Sequence, residues 1–236
     1  LRLLLACLLA GATYLSASPI AHRRAVANGA VEPWMDTNYA RRCQITILAS
    51  QISSTMTTAV LCLDLADMPA TFHANVRSDG MDHRASSSDK ITPLKVELED
   101  YDATPDTGHT WIYVGTLSSS VDTNIFLYYD YPSSGYHSDT HDVWDASGGD
   151  YIGVFHLDHT AIIAQDNSVT SSSHLSADAV NLDVVDGIDG KVGECLDYDG
   201  VNEYNIIPST DSESYDMRPG DSTFTAMCWF QADDFT

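Results

Sequence analysis

The sequence predicts an all-β protein whose main body is an antiparallel β-sandwich. Three observations carry this expectation. Short apolar, β-branched runs recur along the chain: CQITILA, AVLCLDLA, HTWIYVGTL and NIFLYYDY. Ser, Gly, Asp and Pro separate them, as turns require. After the N-terminal run, no stretch keeps the i, i+3, i+4, i+7 spacing of apolar residues that a helix needs. The acidic residues point the same way. Of 34, 28 are Asp and 6 are Glu, and the short Asp side chain favours turns by accepting from nearby backbone N–H groups.

The 236 residues leave room for one large domain or two small ones. The first element is LRLLLACLLAGATYLSASP: one Arg, an apolar run, then small residues at Ser16, Ala17 and Ser18. This is the pattern of a secretory signal peptide, expected over residues 1–18. Leu4 to Cys7 also reads as a lipobox, which would put a lipid on Cys7. No later apolar run approaches the length of a transmembrane span, so the expected location is secreted or cell-surface. Residues 19–33 include HRRAVANGA and read as a flexible lead-in.

Strand chemistry begins at Trp34, and the first domain is expected over residues 34–149. Within it, HTWIYVGTL and NIFLYYDY read as two strands joined by the short polar turn SSSVD. The DASGGD stretch, Asp145 to Asp150, marks a boundary. The second domain, 150–236, opens on YIGVFHLD and passes through a long Ser/Asp-rich stretch. It returns to strand chemistry in ECLDYDG, EYNIIPS and STFTAMCWFQADDF.

The formal net charge is −23, which repels phosphate backbones and argues against nucleic acid as a partner. Cys7 would leave with the signal peptide; Cys43, Cys62, Cys195 and Cys228 remain as disulfide candidates. Pairing Cys43 with Cys62 and Cys195 with Cys228 keeps each bridge inside one domain. The alternative is four small buried thiols in strands. No C-x-x-C spacing occurs, so zinc, thioredoxin-like and c-type haem signatures are absent.

Several side-chain groupings could carry chemistry. Glu97 and Glu99 lie two apart in VELEDYD, on one face of a strand, a pairing that glycoside hydrolysis uses. The expectation for them is a solvent-facing strand edge. His137, Asp139, His141 and Asp142 would suit a metal only if the segment were helical, and the sequence offers no helical signal there. His156 and His159 flank a strand end and read as structural. Trp111, Tyr113, Tyr128, Tyr129, Tyr131 and Tyr136 are sugar platforms by residue type, although their strand positions favour core packing. There is no G-x-S-x-G elbow, Walker loop, G-x-G-x-x-G turn, H-E-x-x-H helix or N-glycosylation sequon.

The order of motifs resembles two known families. Asp79, Gly80, Asp82 and Arg84, then Pro93, Leu94, Glu97 and Glu99, then Trp111 and Val114, then Leu127, Tyr128 and Tyr129 resemble the domain of unknown function 2341 family of microbial surface proteins. His83 stands where that family has an apolar residue, Lys95 where it has proline, and Asp130–Tyr131 where Gly-Asn closes a turn. GVFHLD and DGKVGECLDYDGVNEYNIIPS with STFTAMCWFQADDF resemble the concanavalin A-like lectin/glucanase superfamily, of the laminin-G-like kind. This resemblance implies a partial jelly roll over 150–236, incomplete at Thr236. It also implies that Leu196 and Tyr198 point into a sheet, and that Asp199 to Asn202 turns the chain as a hairpin. Asp199 and Asn202 are calcium candidates there, although two side chains fall short of the six to eight oxygens that calcium takes. No carboxylate motif of the glucanase kind occurs in this part.

The resulting expectation is a non-catalytic secreted or cell-surface module that binds carbohydrate or a surface, within a larger adhesin-like protein. The expected partner is a polysaccharide or glycoconjugate, with calcium the one cofactor considered. Two alternatives stand beside it: a self-associating subunit of a surface filament or layer, and a polysaccharide hydrolase whose catalytic part lies beyond Thr236.

Overall fold

The computed structural model describes residues 18–21, 32–133, 140–145, 154–157, 164–165, 176–182, 186–206 and 228. They fall in two compact units, one within Ala6–Gly149 and one within Asp150–Thr236.

The first unit is an antiparallel sheet of β1 (Ser18–Ala21), β2 (Arg41–Ile47), β3 (Met56–Asp64), β4 (Arg84–Ser86), β5 (Pro93–Asp102), β6 (Thr107–Leu117) and β7 (Thr123–Tyr129). Their spatial order is β1-β2-β7-β4-β5-β6-β3. β5 hands over between neighbours: Pro93 and Leu94 pair with β4, and Lys95 onward pairs with β6. The sheet curls at this point, so its two halves face one another across a single core. Cys43, Ile45, Ala85, Ile125, Leu127 and Tyr129 come from one half, and Leu63, Val96 and Ile112 from the other. The strict period of two in β2 and β7 produces this division: Cys43, Ile45 and Ile47 face inward while Arg42, Gln44 and Thr46 face outward. A 3₁₀ turn at Leu65–Asp67, capped by the Asp64 carboxylate on Ala66 N–H, leads to the short helix α1 (Ala70–His73). Leu65, Met68 and Phe72 from this connection join the core.

SSSVD joins two strands as expected, but they are not neighbours: β6 lies beside β5 and β3 whereas β7 lies between β2 and β4. That turn carries the chain from one half to the other. The lead-in is not wholly unstructured: Ser18–Ala21 pairs with β2, and Glu32 and Pro33 bind Arg42.

Arg42 is fully buried on the outer face of β2. Its guanidinium lies 4.3 Å from the Trp34 ring centroid and 5.1 Å from that of Phe126. It donates to Pro33 C=O at 2.6 Å and to Tyr128 Oη at 2.9 Å, and pairs with Glu32 at 2.7 Å. The same Glu32 oxygen meets Lys90 Nζ at 2.5 Å. These contacts hold the strap of residues 32–39 against the sheet.

The D-G-M-D turn is a second anchor. Gly80 has φ +68°, and a Cβ there would come within 2.8 Å of the Tyr101 side chain. Asp82 is fully buried and accepts three backbone N–H groups, from Arg77 at 2.9 Å, Asp130 at 3.1 Å and Tyr131 at 3.0 Å. Asp130 itself has φ +67°, a left-handed conformation that favours glycine.

In the second unit, β8 (Ala164–Gln165), β9 (Ser176–Val180) and β12 (Tyr204–Ile206) form one antiparallel sheet in the order β12-β9-β8. β10 (Gly187–Asp189) and β11 (Glu194–Leu196) form a separate hairpin. The hairpin expected at Asp199 is therefore a connection between two sheets, since β11 pairs with β10 and β12 pairs with β9. Tyr198 is 40% exposed and does not face a sheet interior.

All four remaining cysteines are free thiols. Cys43 and Cys62 cannot bridge, because Cys43 faces the core from β2 while Cys62 lies on the outer face of β3, in the other half. Burial pushes the Cys43 thiol up to about 12. Cys195 is half-buried and Cys228 exposed. Among the described residues no helix is long and apolar enough to cross a membrane.

Candidate functional site

The most chemically loaded surface is the outer face of β5 and β6, and a break in the strand period builds it. Leu94, Val96 and Leu98 face the core at intervals of two, but the next inward residue is Tyr101. The pairing explains the extra step. Leu98 lies opposite Thr110 and Asp100 opposite His109, so Glu99 is the extra residue of a β-bulge. Lys95, Glu97, Glu99 and Asp100 thus all belong to the outer side, beside His109 and Trp111 of β6.

A short helix, α2 (Thr140–Asp145), packs on this face. The Trp144 indole N–H donates to Glu97 Oε2 at 2.6 Å, and that of Trp111 donates to Glu99 Oε2 at 2.7 Å. The two indole rings lie 5.2 Å apart between centroids, tilted by 58°. Asp142 on α2 pairs with Lys95 on β5. At the margin, His109 Nδ1 lies 2.9 Å from Asp100 Oδ1. The bond to Asp100, with Coulomb attraction from Asp100, Asp64 and Glu99, holds the His109 imidazolium above the usual histidine range.

This geometry corrects the reading of Glu97 and Glu99. They share one face, as the spacing requires, but β5 is an interior strand, and Glu97 is only 4% exposed under Trp144. A hydrolytic pair needs a sugar and a water between its carboxyls. Here an indole sits against each carboxylate. The helix is also a correction. The sequence offered no helical signal around His141 and Asp142, yet Thr140–Asp145 is helical. A six-residue helix with two apolar residues, Val143 and Trp144, falls below the window in which helical periodicity can be read. His137 and Asp139 lie outside the described residues, as do His159 and Tyr136. His156 is half-buried, next to the isolated bridge at Phe155.

Of the aromatic platforms, Trp111, Tyr128 and Tyr129 are buried. Tyr113 and Tyr131 are half-buried, and Tyr131 packs edge-on to Tyr39 at 5.3 Å. Sequence reasoning missed Trp144 altogether; its one signal was a Val-Trp pair in a polar segment.

In the second unit, the Asp199 Oδ1 atom accepts from Val201 N–H at 2.8 Å and Asn202 N–H at 3.1 Å, and Gly200 has φ +69°. Glu203 Oε2 accepts the Asp199 N–H at 2.5 Å, closing the turn from the other side. These backbone bonds lower the Asp199 carboxyl below its usual range. Asn202 contributes its backbone carbonyl to Asn181 Nδ2 at 2.7 Å. The stretch GKVGECLDYDGVNEY is thus a hairpin followed by an Asp-capped turn. Among the described residues no three His, Cys, Asp or Glu side chains converge as metal ligands.

Comparison with protein-family models, with curated proteins and with solved structures gives no match to this chain.

Proposed function

We propose that this chain is a non-catalytic, extracytoplasmic binding module whose ligand is carbohydrate. The supporting observation is the outer face of β5 and β6, where two indole rings lie beside two carboxylates on an interior part of the sheet. Rings that take an apolar sugar face, next to acceptors that take hydroxyls, are what saccharide recognition needs. The apolar N-terminal run supports export. The motif order supports a surface protein of the domain of unknown function 2341 kind, followed by a partial laminin-G-like domain.

The test is binding of the mature chain to a polysaccharide panel, with calcium and with chelator. Binding to a neutral or amino-bearing glycan is the expected result. Absence of binding by a folded protein overturns the reading. Calcium-dependent binding would make Asp199 and Asn202 the first positions to substitute. Chelator-insensitive binding points to the indole face.

A second reading, self-association into a surface filament or layer, is favoured by β1, a four-residue edge strand paired on one side only. Its test is concentration-dependent light scattering of the mature chain.

A further inference from the structure

We infer that the face formed by Glu97, Glu99 and Trp111 is a saccharide subsite that α2 holds closed, and that an uncharged or amino-bearing pyranoside displaces Trp144 from it. This rests on the carbohydrate-binding reading and gives that reading a site.

Trp144 meets the sheet with both its ring and its N–H. Its ring lies against Trp111 at 5.2 Å, and its N–H donates to Glu97 at 2.6 Å. A pyranose bound here would replace both: its C–H face on the Trp111 ring, and a hydroxyl donating to the carboxylate. One side chain of the protein thus fills both roles of a sugar residue.

The burial of Glu97 is the second ground. A purely structural contact between a short helix and a sheet is better served by an apolar or neutral residue, because a buried carboxylate loses its hydration. Glu97 is nevertheless 4% exposed. Its carboxylate becomes useful if the face opens to a ligand rich in hydroxyl donors.

The third ground is the character of the cover. α2 has six residues, too few for a helix to be stable unless it is packed. Its fastening to β5 includes the Lys95–Asp142 pair, whose side chains are 46% and 44% exposed, and such pairs contribute little in water. Of the described α2 side chains only Val143 and Trp144 are buried, so opening exposes those two and leaves the sheet beneath folded. Ligand charge follows from the surroundings: Glu97, Glu99 and Asp100 line the face and the chain carries −23, which disfavours uronates and sulfated glycans.

The experiment titrates the full mature chain with cellohexaose, a glucosamine hexamer and a galacturonate hexamer, followed by calorimetry. The proteins are the wild type, Trp144→Ala, Asp142→Asn, and Trp111→Ala combined with Trp144→Ala. If the open face is populated at about 1–10%, Trp144→Ala tightens binding of the neutral or amino sugar about 10- to 100-fold. Asp142→Asn tightens it up to about fivefold, and adding Trp111→Ala abolishes the gain. Near-UV circular dichroism checks folding, and should Trp144→Ala unfold, Asp142→Asn carries the test. Wild-type binding that neither substitution tightens, or that survives loss of Trp111, overturns the closed subsite and leaves the binding reading standing. Preference for the galacturonate hexamer overturns the ligand class. No binding by any form, to these probes or to the wider panel, overturns both.

Discussion

Lowering the pH from 7 to 4 should destabilise the first unit through His83. This side chain is 2% exposed, with Nδ1 2.5 Å from Gly80 C=O and Nε2 3.1 Å from Thr110 Oγ1. Desolvation is the largest influence and pushes its pKa down to about 4, against the bond to Gly80 that raises it; Arg84 adds to the lowering and Asp82 opposes it. At neutral pH the ring is therefore uncharged, Nδ1–H donates to Gly80, and Nε2 faces the Thr110 hydroxyl. That hydroxyl also reaches Glu97 C=O at 2.8 Å.

In the unfolded chain the ring takes its proton near 6.5, and in the folded chain only near 4. Between those values the unfolded state binds more protons, so stability falls as the pH falls from 6.5 to 4 and this group adds nothing further below 4. The gap corresponds to about 3 kcal/mol. With an m-value of about 1.5 kcal/mol/M, the urea midpoint moves by about 2 M.

The assay is urea denaturation of wild type and His83→Gln at pH values from 7.5 to 4. Subtraction matters because His109 acts in the opposite sense: its raised pKa gives stability that is present below the ordinary histidine range and lost as pH rises through the raised value. Asp79, lowered chiefly by its bond from Arg77, loses its contribution as pH falls below the ordinary carboxylate range, outside the window. Parallel curves for wild type and His83→Gln between pH 6.5 and 4 would refute the reasoning.

Four further outcomes are expected. Asp82→Ala strips the acceptor from three part-buried N–H groups and should cost about 3 kcal/mol in urea denaturation, since a donor left unpaired costs about 1–3 kcal/mol and these sit at the low end. Gly80→Ala should lower the melting temperature more than Gly115→Ala. Both glycines have positive φ, but a Cβ meets Tyr101 at 2.8 Å in the first case and nothing nearer than 3.9 Å in the second. Arg42→Lys should destabilise the strap despite keeping the charge, because the planar fork and its stacking are lost; a red shift of Trp34 fluorescence reads this. Alkylation of the native chain should label Cys228 rapidly and Cys43 only after unfolding, read by mass spectrometry.

That β2 and β7 are strands was legible in their short apolar runs, and β2 alternates in CQITI; which side chains of β7 face the core was not, because IFLYY is apolar throughout and both of its faces are buried. Which strands pair was not, because pairing depends on where each connection crosses. SSSVD is polar whether it turns back within one half or crosses to the other. The exposure of Glu97 was also beyond local reading, since its cover, Trp144, comes from 47 residues further along the chain. Asp82 was legible as part of a D-G-x-D turn, but its acceptor role depends on Asp130 and Tyr131, whose approach belongs to the fold. The bulge did leave a trace: apolar positions 94, 96, 98 and 101 break step once, and a break of one in a period of two signals an extra residue.

The strand passes over that extra residue as a reader passes over a doubled letter. Downstream of Glu99 every side chain exchanges sides relative to an uninterrupted strand, so Tyr101 enters the core and closes over Gly80. Deleting Glu99 would remove the bulge and leave an unbroken alternation, with Leu98 and Tyr101 still facing the core and Asp100 between them on the outer side. Glu99 is thus a carboxylate added to the outer face without a change in which side chains reach the core.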